Sequence, residues 1–439
     1  MKTPVWDFVK EYAASDTVRL HMPGHKGVGE LERYDITEIK GADSLYEADG
    51  IIAESEAYAS ELFGARTFYS TEGSSLAIRA MLHLATAEAR EGGERPLILA
   101  GRNAHKAFIS AVALLDLDVE WLPSGDSYMS CPVSADTLCA ALNGLKRTPT
   151  AVYLTSPDYL GNVTDISAAA RVCRERGILL LVDNAHGAYL KFLTPSRHPI
   201  DLGADMCTDS AHKTLPTLTG GAYLHISEGL GDDIHNRAKD ALALFGSTSP
   251  SYLILASLDK TNAHLSGEYR RNLITIIDKI RKIKAALCNA GYALVGNEEL
   301  KITIDAAKYG YTGYELAEVI RRTGAEPEMA ECDYLVLMLS PACASLDLAV
   351  NALLSLERRP PRADKPRMPA HTERILTVRE AMLSPTVSLP IRECIGRILA
   401  TPDTACPPAV PILIPGERIS EEHIDILAYY GKDRLSVVR

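Results

Sequence analysis

The chain has 439 residues, 46% of them hydrophobic, enough to bury one large core with a smaller domain beside it and too apolar for a disordered chain. A formal net charge of −11 leaves no basic surplus to neutralise phosphates, which argues against general nucleic-acid binding and is compatible with a cationic small substrate. The nine cysteines are scattered without a C-x-x-C pair, and neither an export leader nor an apolar window of about 20 residues occurs, so a reducing cytoplasm and no membrane are expected.

Residues 1–55 read as an N-terminal segment carrying RLHMPGHKG. From about residue 56 to residue 261, strand-like apolar runs alternate with helical patterns, the signature of an α/β domain around a largely parallel sheet. Leu76, Ala80, Met81, Leu84 and Ala85 mark one face of a helix. Strands follow at PLILA (96–100) and TAVYLTS (150–156), a helix at Ile166 to Arg176, then strands ILLLVD (178–183), ADMCTDS (204–210) and GAYLHI (221–226). The style changes over 262–360. A long helix opens at HLSGEYRRNL, strands are expected at YALVG, LKITIDA and YLVLMLS, and a helix at YTGYELAEVIRRTG, together a smaller α+β domain. The stretch RRPPRADKPRMP (358–369) reads as a linker into a C-terminal unit, 361–439.

Asp183 ends the run ILLLVD. In a parallel sheet, ligands collect beyond the carboxyl ends of the strands, so this carboxylate is expected in a crevice. The next strand ends in Ser210-Ala211-His212-Lys213, which delivers a lysine to the same cleft. A carboxylate that keeps a pyridine nitrogen protonated and an amine that can form an imine are the minimum constellation for pyridoxal phosphate chemistry. The rival lysines, Lys26 in HMPGHKG and Lys106 in RNAHK, close no strand beside Asp183. Thr71-Glu72-Gly73-Ser74-Ser75, just before the helix from Leu76, offers hydroxyls and N–H groups for a phosphate, and Ser210 and His212 add donors. His105, past the strand PLILA, has a ring able to stack on a pyridine, and His186 reaches it from the loop after Asp183. No H-E-x-x-H, G-x-S-x-G or dinucleotide fingerprint is present, so no metal ligand set is expected.

These motifs, with FGARTFYSTEGSS, TSPDYLGNVTDI, DNAHGAYL, DSAHKTLPTLTGGAYLH, GSTSPSYLILASLD and PPAVPILIPGE, make nearly the whole chain resemble the Orn/Lys/Arg decarboxylase family of fold type I, specifically its short, wingless arginine or lysine decarboxylases. The resemblance implies a large domain with a mainly parallel seven-stranded sheet, a small α+β domain and a C-terminal α+β domain. It implies pyridoxal phosphate bound to Lys213 as a Schiff base, with Asp183 on the pyridine nitrogen, Ala185 and His105 on the two ring faces and His186 near the phenolic oxygen. Ser74, Ser75, Ser210 and His212 would hold the phosphate, and Thr248 would reach that of a neighbouring subunit, which makes the site dependent on a homodimer, with higher assembly open. The implied reaction is decarboxylation of arginine, lysine or ornithine, feeding polyamine synthesis, with arginine slightly favoured. Glu417 and Glu393 are candidates for the distal cationic group of the substrate. Tyr189 and Gly221 stand where relatives often carry histidine and glutamine. An aminotransferase, another lyase and a non-catalytic regulatory homologue are the alternatives.

Overall fold

A computed structural model describes residues 1–439 except 92, 94, 126, 344, 364, 368, 370, 371 and 403–409. Cys406 and the beginning of PPAVPILIPGE therefore lie outside the described residues. No disulfide joins the described cysteines, and no helix among the described residues is long and apolar enough to cross a membrane.

Strands β1 (Arg66–Ser70), β2 (Leu97–Gly101), β3 (Asp118–Leu122), β4 (Ala151–Thr155), β5 (Leu179–Asp183), β6 (Met206–Asp209) and β7 (Ala222–Ile226) form one sheet in the order β1-β7-β6-β5-β4-β2-β3. β2 with β3, β4 with β5 and β5 with β6 run parallel, and β7 runs antiparallel to β1 and β6. The fold is thus α/β with a mainly parallel sheet. Strands buried on both faces read as continuous apolar runs, which is why LLLVD and AYLHI are visible in the sequence. β1 and β3 are not. RTFYS looks polar, yet Thr67 and Ser70 turn their hydroxyls to the carbonyls of Ala65 and Gly73, and DVEWL is a half-buried edge strand with two acidic residues.

The chain gathers into two compact units, one of residues 1–94, 146–156 and 165–273, the other of 95–145, 157–164 and 274–439. In the first, the helix Gly73–Ala85 buries the expected face, Leu76, Ala80, Met81, Leu84 and Ala85. The helix Tyr252–Leu265 carries Asp259, whose carboxylate accepts the Trp6 N–H of the N-terminal helix Pro4–Ala14 at 2.9 Å. One expectation is corrected here. The long helix does not open at His264: Tyr252–Leu265 ends at Ser266, whose N–H turns back to Asn262 and His264, and after Gly267 a second helix runs from Tyr269 to Asn289.

The second unit holds the antiparallel sheet β8 (Ala293–Val295), β9 (Lys301–Asp305), β10 (Met329–Ala330) and β11 (Tyr334–Met338), in the order β10-β11-β9-β8. It also holds the antiparallel pair β12 (Thr386–Pro390) and β13 (Arg434–Val438). Tyr128, Met129, Val336, Cys394, Leu399, Ile426 and Val437 share its core. The linker is pinned where it is described, with Arg362 donating to the Cys332 carbonyl at 2.9 Å and Lys365 paired with Asp333 at 3.0 Å.

Candidate active site

β5 and β6 run parallel with Asp183 opposite Thr208, so the chain leaves both strands on the same side. Asp183 is 2% exposed. Its Oδ1 accepts the Ala185 N–H at 3.2 Å and its Oδ2 the Tyr153 hydroxyl at 3.1 Å, the latter from the buried face of β4. Burial pushes the Asp183 carboxyl above its ordinary range, and the charge of Lys213 pulls against that shift. A desolvated carboxylate with two neutral donors is suited to face one further cationic N–H.

After β6 the chain turns through Ser210 into the short helix Ala211–Thr214, which carries Lys213. Lys213 Nζ lies 3.2 Å from His186 Nε2, and His186 is itself buried. Ser210 donates its hydroxyl to Ser74 Oγ at 2.8 Å, which joins the lysine turn to the first turn of the helix Gly73–Ala85, where Ser75 is half-buried. Gly73 opens that helix at φ +72°, a left-handed backbone that favours glycine, and gives its N–H to Gly220 at 2.7 Å. Asp183, Ala185, His186, Ser74, Ser75, Ser210 and Lys213 thus belong to one unit and cluster around the ends of β5 and β6.

The remaining expected residues are divided between the two units. His212 turns its ring inward, with Nδ1–H donating to the Gly221 carbonyl at 3.0 Å, and burial lowers its pKa. Thr248 is exposed. His105 stands in the other unit as the N-cap of the helix Lys106–Leu115, its Nδ1 accepting the Ala107 N–H at 3.1 Å. Lys26 is exposed, with Nζ on the His21 carbonyl at 2.6 Å. Glu417 is not open to a cationic ligand: Arg102 Nη2 sits 2.8 Å from its Oε2, which also takes the Ile414 N–H at 2.6 Å. Glu393 is exposed in the turn Ile391–Cys394. At Gly221 an added Cβ would fall 2.3 Å from Thr217 Cγ2, so a larger residue there would require that side chain to move. Tyr189 is fully buried.

Sequence reasoning passed over Tyr153, Asn184 and Asp209. Asn184 donates from Nδ2 to Asp209 Oδ1 at 2.6 Å, and Asp209 Oδ2 faces His198 Nε2 at 3.1 Å and His225 Nε2 at 3.2 Å. The available signal is a charge inside a strand: a buried acid in MCTD requires partners wherever the fold supplies them.

Two family models match the chain, Orn/Lys/Arg decarboxylase, major domain, over residues 3–302, and the C-terminal domain of the same family over 366–432. The chain belongs to the Orn/Lys/Arg decarboxylase family. Its enzyme class follows, an amino acid decarboxylase of a family that takes basic substrates. The decarboxylase is 30% identical to an arginine decarboxylase of Halalkalibacterium halodurans over 96% of this chain and 92% of that protein. It is 28% identical to one of Bacillus subtilis over 97% and 93%. Among solved structures, the lysine decarboxylase LdcF of Francisella novicida superposes with a TM-score of 0.80 at 18% identity, covering 100% of this chain and 81% of that one, a likeness of fold.

Proposed function

We propose that the decarboxylase works with pyridoxal phosphate and releases carbon dioxide from arginine, lysine or ornithine, with arginine first because of the relatives named arginine decarboxylase. The amine produced would feed polyamine synthesis in the cytoplasm. The observation that carries this reading is the meeting of a buried carboxylate, Asp183, and a half-buried amine, Lys213, at two adjacent strand ends. The donor set fits the cofactor: a carboxylate with two donors and a need for a cation, a lysine beside an imidazole, and hydroxyls at a helix start.

When bound, the cofactor supplies an electron sink for the pair left behind as the carboxylate departs. Asp183, oriented by Tyr153 and Ala185, would hold a proton on the pyridine nitrogen. Ser74, Ser75, Ser210 and His212 would hold the phosphate, with Thr248 reaching that of a neighbouring subunit. Ala185 would pack on one ring face, and His105 is assigned to the other by its motif alone. His186, beside the lysine, would orient Lys213 Nζ and lie near the phenolic oxygen. Lys213 Nζ would return a proton to the α-carbon, with His105 as the second candidate.

A homodimer with shared sites is part of the proposal, and a higher oligomer is compatible with it. Val18, Leu20 and Val28 are 77%, 91% and 80% exposed on the N-terminal segment, apolar side chains that a second copy would cover. The functional division proposed is 1–55, 56–261, 262–360 and 361–439. The test is incubation of purified, cofactor-loaded enzyme with each basic amino acid while amine, carbon dioxide and keto acid are measured, beside Lys213→Ala. The expected result is carbon dioxide from a basic substrate, and loss of turnover and of the visible cofactor absorption in the variant. An unchanged spectrum with full activity in Lys213→Ala refutes the assignment, and keto acid in place of carbon dioxide makes the enzyme an aminotransferase.

A further inference from the structure

Asp209 lies on the same unit as Asp183 and Lys213, one residue before the turn that carries the lysine, and it is fully buried. Its partners come from three places in the chain. Asn184, the residue after Asp183, is held to β6 twice, by its N–H on the Thr208 carbonyl at 3.0 Å and by Nδ2 on Asp209 Oδ1 at 2.6 Å. The other oxygen, Oδ2, receives His198 and His225. His225 in turn bonds Thr67 Oγ1 of β1 through Nδ1 at 2.9 Å.

The hydrogens can be assigned. His198 Nδ1 is buried with no hydrogen-bond partner among the described residues, so a hydrogen there would be stranded and the ring must carry it on Nε2, pointing at Asp209. Burial lowers the pKa of His225, favouring a neutral ring, and an ionised Asp209 can only accept, so the ring hydrogen belongs on Nε2 and Nδ1 is left to take the Thr67 hydroxyl in place of the Ala65 carbonyl. Burial alone would raise the Asp209 carboxyl, but the two imidazoles more than reverse it and hold it well below the usual carboxylate range. Asp209 is therefore a buried anion with three donors.

His198, Cys207 and Asp209 also place possible metal-ligand atoms within 4.8 Å of one another. A metal on His198 Nε2 would force the hydrogen onto Nδ1, where it finds no acceptor, whereas ligating imidazoles ordinarily have one. Burial moreover pushes the Cys207 thiol well above its ordinary range, keeping it protonated. The cluster is built for hydrogen bonds.

We infer that Asp209 is a positioning residue of the decarboxylase: by bonding Asn184 across β5 and β6 while two imidazoles hold its second oxygen, it fixes the separation of Asp183 from Lys213. Its charge also acts on the site, since it pushes the Asp183 carboxyl upward and favours cations nearby. The inference rests on the proposed roles of Asp183 and Lys213.

The experiment compares wild type, Asp209→Asn, Asn184→Ala and Lys213→Ala. It measures pyridoxal phosphate affinity of the apoenzyme, the pH midpoint of the visible band, kcat, KM, melting temperature and bound metal. Asp209→Asn removes the charge, so the midpoint should fall by about half a unit or more. In the same variant kcat should drop about 10- to 100-fold while KM stays within about threefold, because misplacement of reacting groups acts on the chemical step. Asn184→Ala keeps the charge and cuts the bridge, so kcat should fall while the midpoint holds, and this variant carries the test should Asp209→Asn fail to fold. Wild-type kcat in Asn184→Ala, or a lowered melting temperature as the only change in Asp209→Asn, overturns the inference. So does a stoichiometric metal that Asp209→Asn loses. Retention of the visible band in Lys213→Ala is a separate failure, that of the underlying site.

Discussion

Asp209 in the first unit and Glu331 in the second are both nearly sealed from water, 0% and 7% exposed, yet their carboxyls are driven in opposite directions. Asp209 is held low by two imidazoles and has an amide donor besides. Glu331 is pushed up to about 8, by burial first and by the charge of Asp333 next, with Lys365 opposing. The donors of that region go to Asp333 instead: the hydroxyls of Tyr429 and Tyr430 at 2.6 and 2.9 Å, and Lys365 at 3.0 Å. Burial makes a carboxylate costly in both places, and the supply of donors decides whether it ionises. Asp183 lies between the two cases, raised by burial but provided with two donors and the charge of Lys213.

The largest effect should come from breaking the intermediate case. Asp183→Ala removes the carboxylate proposed to face the cofactor, and loss of a preorganised electrostatic contact of this kind costs roughly 3 kcal/mol or more in the barrier, about two orders of magnitude or more in rate. Some cofactor should remain bound through Lys213 and the serines. Measured kcat with a retained visible band is the expected outcome, and a rate within about threefold of wild type would place Asp183 with the merely structural acids.

Arg102 and Glu417 sharpen the comparison, since here a buried carboxylate has a full cationic partner. The side chains are 15% and 8% exposed and meet at 2.8 Å. Arg102→Ala leaves Glu417 with the Ile414 N–H and the more distant charge of Arg374, and removal of one member of a buried pair costs about 3–5 kcal/mol. Burial raises the Glu417 carboxyl and Arg102 opposes it, so the variant should take up a proton on Glu417 and recover part of the loss as pH falls. Urea melts at pH 8 and pH 5 should show the larger deficit at pH 8. Equal deficits would mean that lost packing and not a stranded charge is responsible.

The same contrast explains what could be read before the structure. The placement of Asp183 and Lys213 was legible because Asp183 closes an apolar run and Lys213 follows the end of the next strand, and the carboxyl ends of parallel strands are where ligands collect. The helix face at Leu76, Ala80, Met81, Leu84 and Ala85 was legible from its period. Tyr153 and Asn184 were not, because a tyrosine inside AVYLT reads as core and an asparagine after a strand reads as turn; their partners stand 30 and 25 residues away. His198 and His225 serve Asp209 from a loop and from β7, a convergence that no local period encodes. The break at Ser266–Gly267 was hidden by strong helical composition on both sides. Glu417 failed as a free acceptor for a related reason, since Arg102 lies 315 residues from it.

The effect confined to one end of the pH range belongs to Glu331. The folded chain keeps its proton up to about pH 8, whereas an unfolded glutamate releases it near 4.5, so the associated stability is fully present below about 4.5 and is lost as pH rises toward 8. Glu331→Gln is neutral at every pH and nearly the same shape, and should leave stability nearly unchanged at pH 4, where the wild-type side chain is mostly protonated both folded and unfolded. At pH 8.5 the variant should be the more stable by on the order of 4 kcal/mol, since about 1.4 kcal/mol is lost for each pH unit between 4.5 and about 8. The groups that face Glu331, Asp333, Lys365, Tyr128 and Tyr430, stay in place, so thermal melts across this range isolate the one titration. A difference that is flat with pH, or one that favours wild type at pH 8.5, would mean that Glu331 is ionised and supported in the folded chain as Asp209 is, and the contrast between the two carboxylates would fall.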